Sequence, residues 1–386
     1  MKEAFLILLI IQIASFIFTI ETEELQYYYK DYIKSQGYKL EEHEVITEDG
    51  YKLNLWHIVQ NLPIDKKKII FIQPGFLCSS WVFFQLGKNS LPFLLIELGY
   101  DVWIANNRGT IFSMEHISKN SEKLNGDYWD FSMDENVFYD LPANINYIKE
   151  ITGAKKINYI GHSQGTTIFY MLYMHNPSYV ESSINAFISL GTVPNIAHTT
   201  FLPIQLIDKV YSLLEIAQPL TKAIIFNEGQ RKLLSNICKN KPNLCKNAFE
   251  AASSLVPTNK IKYEALYPFL YYYPAGTSSD TMLHWSQIHQ SKKLVYFNPE
   301  YSSNKEVKEY DISVLKNWKI NALIQRSDSD TFSSYDDVTD LYNTIQNKSY
   351  IKLIDTPLYG HTDDLCSNFA INDVYIPIFD FLEDNY

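Results

Sequence analysis

Residues 161–165 read GHSQG and place a serine between two glycines at alternate positions. The apolar run KKINYI precedes them, and TTIFYMLYM follows with a pattern that predicts a helix. Strand, tight turn and helix in this order are typical of a nucleophile elbow, where only glycine fits two positions before and two after the serine. We therefore predict that Ser163 is a nucleophile and that the preceding His162 points away from it.

A serine nucleophile needs a general base, and the base needs a carboxylate that orients it. After a nucleophile elbow the expected chain order is serine, then aspartate or glutamate, then histidine. Three histidines lie well downstream, at His284, His289 and His361. His361 occurs in the loop PLYGHTDD, just after a predicted strand, so it is our candidate base. The other two are expected to be hydrogen-bonded packing residues.

The carboxylate should follow the predicted strand INALIQ. The next loop, RSDSDTFSSYDD, contains four aspartates, Asp328, Asp330, Asp336 and Asp337. Spacing alone does not separate the first two, and charged loops are commonly just solvated.

Stabilising a tetrahedral oxyanion requires two backbone N–H groups. One is expected from Gln164, directly after the serine. The segment IIFIQPGFLCSSW predicts a strand followed by Pro74-Gly75, which makes the N–H of Phe76 the second candidate. An ordinary Pro-Gly turn explains this segment equally well.

Short apolar runs alternate with helical stretches along the chain, which favours a parallel sheet covered by helices. The predicted strands are residues 69–72, 101–105, 157–160, 186–190, 321–325 and 350–354. About 130 residues between the fourth and fifth strands are expected to be mostly helix and loop. We predict one α/β core (21–191 and 311–386) interrupted by a helical cap (192–310).

Residues 1–20 have the composition of a secretory signal peptide, with Lys2 before an apolar run from residue 4 to residue 20. A signal anchor is the alternative, because the run is 17 residues long and no A-x-A cleavage pattern is present. Secretion, or delivery to a lysosomal or phagosomal lumen, is the expectation. No stable membrane span is expected after cleavage.

The net charge is −11, and it is unchanged without residues 1–20, since Lys2 and Glu3 are lost together. An acidic chain without a basic cluster argues against a nucleic-acid partner. The short run at residues 66–68 follows Asp65 and is expected to lie in a solvated loop.

Four cysteines are present. Cys238 and Cys245 enclose a short polar loop, so a local disulfide is expected in an oxidising compartment. Cys78 and Cys366 are expected to be buried free thiols. Asn347 begins an Asn-Lys-Ser glycosylation acceptor.

Several long blocks resemble the acid lipase family, over nearly the whole chain after residue 20. They are VITEDGYKL, GYDVWIANNRGT, YWDFSMDENVFYDLPANINYI, GHSQGTT and PAGTSSDTMLHWSQ. The resemblance implies an α/β-hydrolase fold, with mostly parallel central sheet and helical cap. It also implies a triad of Ser163, Asp330 and His361, with oxyanion donors Phe76 and Gln164.

The resemblance selects Asp330 over Asp328 because the family aspartate is followed eight residues later by a valine, here Val338. The chain departs from the family at two places. Pro74-Gly75 stands where the family usually has His-Gly, and Ser327-Asp328 stands where it has Gly-Gly. Neither change removes a catalytic group, but the second adds a carboxylate near the expected triad.

The expected function is hydrolysis of acylglycerols or sterol esters through an acyl-enzyme, at a lipid–water interface and without a metal or organic cofactor. The resemblance also implies a movable lid in the cap. Residues 206–220 carry an apolar stripe at Leu206, Val210, Leu213 and Leu214, which suits a lid face, although such a stripe more commonly packs in a core. A carboxylesterase, a thioesterase and a non-catalytic lipid-binding protein are the alternatives.

Overall fold

The computed structural model describes residues 28–60, 68–201, 204–205, 220–252, 269–301 and 307–385. The predicted signal peptide at residues 1–20 lies outside the described residues. So do residues 206–219 of the predicted lid stretch.

A central sheet of nine strands organises the described part of the chain, in the order β1-β2-β4-β3-β6-β7-β10-β11, with β5 paired to β2. Strands β3, β4, β6, β7, β10 and β11 are parallel. They are β3 (Ile69–Gln73), β4 (Asp101–Ile104), β6 (Ile157–His162), β7 (Ile184–Leu190), β10 (Asn321–Arg326) and β11 (Ile351–Asp355). These six match the predicted strands to within two residues at each end, and the strands on both sides of the helical segment join one sheet.

Three further strands extend this sheet and were not predicted. They are β1 (Lys39–Ile46), β2 (Tyr51–Val59) and β5 (Glu115–His116). Strand β2 pairs antiparallel with β1, β4 and β5. Strand β1 has the sequence KLEEHEVI, and Val45 is its one fully buried residue. A polar edge strand of this kind lacks the continuous apolar run by which the buried parallel strands were predicted.

Helices cover both faces of the sheet. They are α1 (Tyr28–Ser35), α2 (Leu91–Glu97), α3 (Met133–Glu135), α4 (Leu141–Thr152), α5 (Gln164–His175), α6 (Pro177–Ser183), α7 (Glu228–Asn240), α8 (Pro242–Ala252), α9 (Ser279–Ser291), α10 (Tyr335–Thr344), α11 (Asp363–Cys366) and α12 (Ile376–Asp384). Two large apolar clusters fill the space between helices and sheet, one on each face. The sheet is therefore buried on both faces, which explains the near-continuous apolar runs of its parallel strands.

The segment between β7 and β10 contributes no strand to the central sheet in its described part. It contains α7, α8, α9 and a separate two-stranded sheet of β8 (Ala223–Ile224) and β9 (Thr277–Ser278). Among the described residues, no helix combines the length and apolar character that crossing a membrane requires.

Candidate active site

Ser163 lies at the junction between β6 and α5, at the carboxyl edge of the sheet. Its backbone has φ 54° and ψ −122°, a conformation that non-glycine residues rarely adopt. Its N–H is hydrogen-bonded to the carbonyl of Leu190 on the neighbouring strand. This strained turn has the backbone of the predicted nucleophile elbow.

The two flanking glycines are required by backbone contacts. A Cβ on Gly161 would lie 2.8 Å from the carbonyl carbon of Gly165, and a Cβ on Gly165 would lie 2.4 Å from the carbonyl oxygen of Gln73. Neither neighbour is a flexible side chain, so any larger residue forces the strand and helix apart. The spacing that singled out the motif therefore follows from packing of β6, α5 and β3.

Ser163, His361 and Asp330 form one hydrogen-bonded chain. Nε2 of His361 is 2.7 Å from Oγ of Ser163, and Nδ1 of His361 is 2.7 Å from Oδ2 of Asp330. Asp330 follows β10 and His361 follows β11, so adjacent parallel strands deliver both side chains to the same edge as the serine. Ser163 and His361 are both more than 90% buried.

The four candidate aspartates of the loop after β10 have different surroundings. Asp330 also accepts hydrogen bonds from the N–H groups of Phe332 and Ser333. Asp337 is buried and binds the backbone and ring of His198.

Asp328 is exposed and accepts the N–H of Leu358, which lowers the pKa of its carboxyl group. Asp336 is exposed at the start of α10. Of these four aspartates, Asp330 is the one that contacts His361.

Opposing effects set the protonation of His361. Burial disfavours the charged imidazolium, but the negative charge and hydrogen bond of Asp330, with a further contribution from Asp364, hold the pKa of His361 above its usual value. Because a carboxylate accepts at Nδ1, the neutral ring carries its proton there and presents the lone pair of Nε2 to the serine hydroxyl. This tautomer is the one that a general base for Ser163 requires.

The loop after β3 passes directly beside the serine. A Cβ on Gly75 would lie 2.8 Å from Cβ of Ser163 and 3.2 Å from its Oγ, so glycine permits this approach. The N–H groups of Phe76 and Gln164 have no hydrogen-bond acceptor among the described residues. Gln164 is the first residue of α5, where N–H groups lack partners within the helix. Both N–H groups thus remain candidates for the oxyanion donors.

Aromatic rings surround the triad, and the sequence did not single them out. Phe332 lies 4.7 Å from the ring of His361, and Trp285 of α9 lies 5.4 Å from Phe332 and 6.4 Å from Phe76. The indole N–H of Trp285 is hydrogen-bonded to the side-chain oxygen of Gln164 at 3.0 Å. Trp285 occurs in the block that ends LHWSQ, so the resemblance marked the segment without giving the residue a role.

His162 and Asp364 are buried next to His361. The sequence did not identify either residue as a neighbour of the candidate base. Nε2 of His162 is 3.2 Å from the carbonyl oxygen of His361 and 3.5 Å from Oδ1 of Asp364. Both side chains are 1% exposed. His162 does not contact Ser163 through its ring, as expected, but it supports the backbone that carries the base.

The remaining predicted residues take no part in the hydrogen-bonded chain of the triad. His284 is buried, with Nε2 2.7 Å from the carbonyl oxygen of Val295. Cys238 of α7 and Cys245 of α8 form a disulfide, with sulfur atoms 1.96 Å apart.

Cys78 and Cys366 are buried free thiols. Burial raises the pKa of Cys78 to about 12 and that of Cys366 well above its ordinary value. Asn347 is exposed, and its side-chain oxygen accepts from the N–H of Ser349.

A mostly parallel sheet of this order, with a serine elbow after one central strand and an acid and a histidine after two others, defines an α/β hydrolase. A family model described as alpha/beta hydrolase fold agrees, since it matches residues 68–222. Residues 29–87 match a partial alpha/beta-hydrolase lipase region.

Relatives that match nearly the whole chain identify its family within the α/β hydrolases. The chain is 32% identical to lipase member K of Homo sapiens, with 90% of this chain and 88% of the relative covered. It is also 32% identical to gastric triacylglycerol lipase of Homo sapiens, with 90% and 89% covered. The chain belongs to the acid lipase family, whose members are serine ester hydrolases.

Solved structures share the fold at lower identity. A putative lipase from Acinetobacter baumannii superposes with a TM-score of 0.57 at 14% identity, covering 96% of this chain and 99% of that one. An esterase from Exiguobacterium antarcticum gives a TM-score of 0.52 at 12% identity, covering 88% and 98%. These likenesses concern the fold alone.

Proposed function

We propose that this chain is a lipase that hydrolyses acylglycerols or sterol esters, with Ser163 as nucleophile, His361 as general base and Asp330 as the carboxylate that orients it. The observation that carries the proposal is the buried chain of two 2.7 Å hydrogen bonds from Ser163 through His361 to Asp330. A purely structural serine has no need of a strained elbow aimed at an imidazole.

Each step of the reaction has a residue to perform it. Oγ of Ser163 attacks the ester carbonyl carbon while Nε2 of His361 takes its proton, and Asp330 stabilises the resulting imidazolium. The N–H groups of Phe76 and Gln164 stabilise the negative oxygen of the tetrahedral intermediate. His361 then protonates the departing alcohol, and the acyl group stays on Ser163. Water, activated by the same imidazole, releases the fatty acid and restores the serine.

The walls of the site favour an apolar acyl group. Phe76, Trp285 and Phe332 lie around the triad, and Phe201 contacts Phe332 at a ring distance of 5.3 Å. Residues 192–310 are proposed to form the cap over this site. We also propose that part of this cap acts as a lid, and that a lipid–water interface stabilises its open state.

The proposed compartment is the extracellular space or a lysosomal or phagosomal lumen. The signal-peptide composition of residues 1–20 and the Cys238–Cys245 disulfide support an oxidising secretory route. Asn347 is exposed on the loop after α10, which makes it accessible as the proposed glycosylation acceptor.

A substrate panel tests the proposal. Triacylglycerol emulsion, cholesteryl ester, a short soluble ester and a thioester are assayed at pH 5 and pH 8 with the wild type and Ser163→Ala. We expect hydrolysis of a long-chain emulsion by the wild type, a steep rise once substrate forms an interface, and none by Ser163→Ala. Hydrolysis of the short ester alone would make the chain a carboxylesterase, and preference for the thioester a thioesterase. Lipid binding without any turnover would make it a non-catalytic protein.

A further inference from the structure

Three side chains of metal-ligating type face one another on the hairpin β1–β2, far from the triad. Glu41 and His57 are direct cross-strand partners, and His43 lies two residues beyond Glu41 on the same face of β1. Oε2 of Glu41 is 3.6 Å from Nδ1 of His57 and 4.0 Å from Nε2 of His43. All three donor atoms lie within 4.8 Å of one another.

The two separations from Glu41 are close to those between ligand atoms of one coordinated ion. Zinc binds imidazole nitrogen and carboxylate oxygen at about 2.0–2.2 Å, so ligand atoms at tetrahedral angles lie about 3.4 Å apart. Oε2 of Glu41 is within about 0.6 Å of this distance from both ring nitrogens. The two ring nitrogens lie within 4.8 Å of each other, so the imidazoles would move together as an ion binds.

In both histidines the ring nitrogen that faces away from the cluster contacts a polar atom of another residue. Nε2 of His57 is 2.5 Å from Oδ1 of Asp101, and Nδ1 of His43 is 3.1 Å from the hydroxyl of Tyr147. The ring of His57 also stacks on Trp103, with centroids 4.0 Å apart and planes 3° from parallel. Second partners of this kind orient histidine ligands and make them more basic.

The charges of the cluster also favour a cation at its centre. Asp101 accepts a hydrogen bond, so neutral His57 carries its proton on Nε2 and directs the lone pair of Nδ1 at the carboxylate of Glu41. Nε2 of His43 is buried and has no hydrogen-bond partner among the described residues. Lys39 contacts Oε1 of Glu41 at 2.6 Å and leaves Oε2 facing the rings. Converging lone pairs are stable only with a proton or a metal ion between them.

We propose that Nε2 of His43, Nδ1 of His57 and Oε2 of Glu41 bind one Zn²⁺ ion, with water at the fourth position. Two imidazoles and one carboxylate suit zinc rather than calcium or magnesium. Strand β1 is four strand spacings, about 19 Å, from the strand that carries Ser163. The site therefore stabilises the edge hairpin and is independent of the proposed ester hydrolysis.

No metal was expected from the sequence, because the implied acyl-enzyme mechanism requires none. The three ligands come from two strands, and their proximity depends on the β1–β2 register. A search for motifs within one segment of the sequence therefore does not detect this site.

Zinc binding is measured by calorimetry on the secreted, tag-free protein after treatment with a chelator. We expect binding of one Zn²⁺ per chain and a rise in Tm of several degrees, because an ion that binds only the folded state stabilises it. EDTA should reverse the rise, while hydrolysis of a short ester stays unchanged by either addition.

Single substitutions test which residues bind the ion. Glu41→Gln, His43→Gln and His57→Gln should each abolish the calorimetric signal and the Tm rise, and Asp101→Asn should weaken binding about 10-fold or more. His175→Gln is the matched control, since His175 is exposed, and it should bind zinc like the wild type. Absence of stoichiometric binding by the wild type overturns the proposal, and so does binding that survives the three ligand substitutions.

Discussion

The indole N–H of Trp285 is hydrogen-bonded at 3.0 Å to the side-chain oxygen of Gln164, 121 residues earlier in the chain. Gln164 directly follows Ser163, and its backbone N–H is one of the two proposed oxyanion donors. Trp285 belongs to α9, in the proposed cap, and is fully buried. One contact thus connects the cap to the first residue of α5 and holds that residue in place beside the nucleophile.

Trp285→Phe removes this hydrogen bond and keeps an aromatic ring. The side-chain oxygen of Gln164 is then buried without its partner, which costs about 1–3 kcal/mol. We expect kcat for a short soluble ester to fall about tenfold through misplacement of the donor. Trp318→Phe is the control, because the indole of Trp318 is also buried and hydrogen-bonded, to the carbonyl of Ile320. An equal loss of kcat in both variants would refute a specific role for Trp285.

Asp330 and Asp328, in the loop after β10, are expected to differ in their importance for activity. Asp330→Asn should lower kcat about 10⁴-fold, because an amide no longer holds His361 in the tautomer that accepts the serine proton. Asp328→Asn should stay within about twofold of the wild type, since Asp328 is exposed and contacts Leu358 rather than the histidine. Steady-state kinetics of both variants decide between them. An inactive Asp328→Asn enzyme with an active Asp330→Asn enzyme would contradict the assignment.

The elbow could be predicted from the sequence because its determinants are local. Gly161 and Gly165 are fixed by steric contacts within one strand–turn–helix unit, so residue types and spacing carry the information. The buried parallel strands were predictable for a similar reason, since burial on both faces leaves a continuous apolar run.

Contacts between distant segments could not be predicted in this way. The choice of Asp330 needed the family resemblance, and the contact of Trp285 with Gln164 depends on how the cap packs. The pairing of Glu41 with His57 depends on the register of a polar hairpin whose first strand has little apolar character. In these cases the residue types are visible in the sequence, but their proximity is a property of the tertiary structure.

A buried ion-pair network should dominate the stability of the loop after β4. The guanidinium of Arg108 is fully buried and binds Asp140 at 2.6 Å and Asp49 at 2.6 Å. Arg108→Met leaves the buried carboxylate of Asp140 without its cation, so we expect a loss of about 3–5 kcal/mol in the free energy of unfolding. Urea denaturation of the wild type and the variant, monitored by tryptophan fluorescence, measures this loss.

The matched control for this substitution is Arg326→Met. Arg326 pairs with Asp355 at 2.8 Å, but the carboxylate of Asp355 is 58% exposed. An ion pair with one solvated partner contributes about 0–1 kcal/mol to the free energy of unfolding. Comparable losses in the two variants would show that burial of the Arg108 network is not what makes it stabilising.

The pH dependence of the reaction should depend on Asp364. Burial opposes protonation of His361, whereas the negative charges of Asp330 and Asp364 favour it and hold the pKa of His361 above its usual value. The nearby ring of His162, 5.6 Å away, also faces the base. In the proposed mechanism neutral His361 is the active form, because an imidazolium cannot accept the serine proton. Activity is therefore lost as the pH falls through this raised pKa.

Asp364→Asn removes one of the two negative charges and keeps the size of the side chain. The pKa of His361 then falls, so the acid limb of the kcat/KM profile for a short soluble ester should move to lower pH. Asp328→Asn is the control, since its exposed carboxylate faces Leu358, and its profile should match the wild type. A limb that stays in place or moves to higher pH in Asp364→Asn would show that Asp364 does not set the protonation of the base.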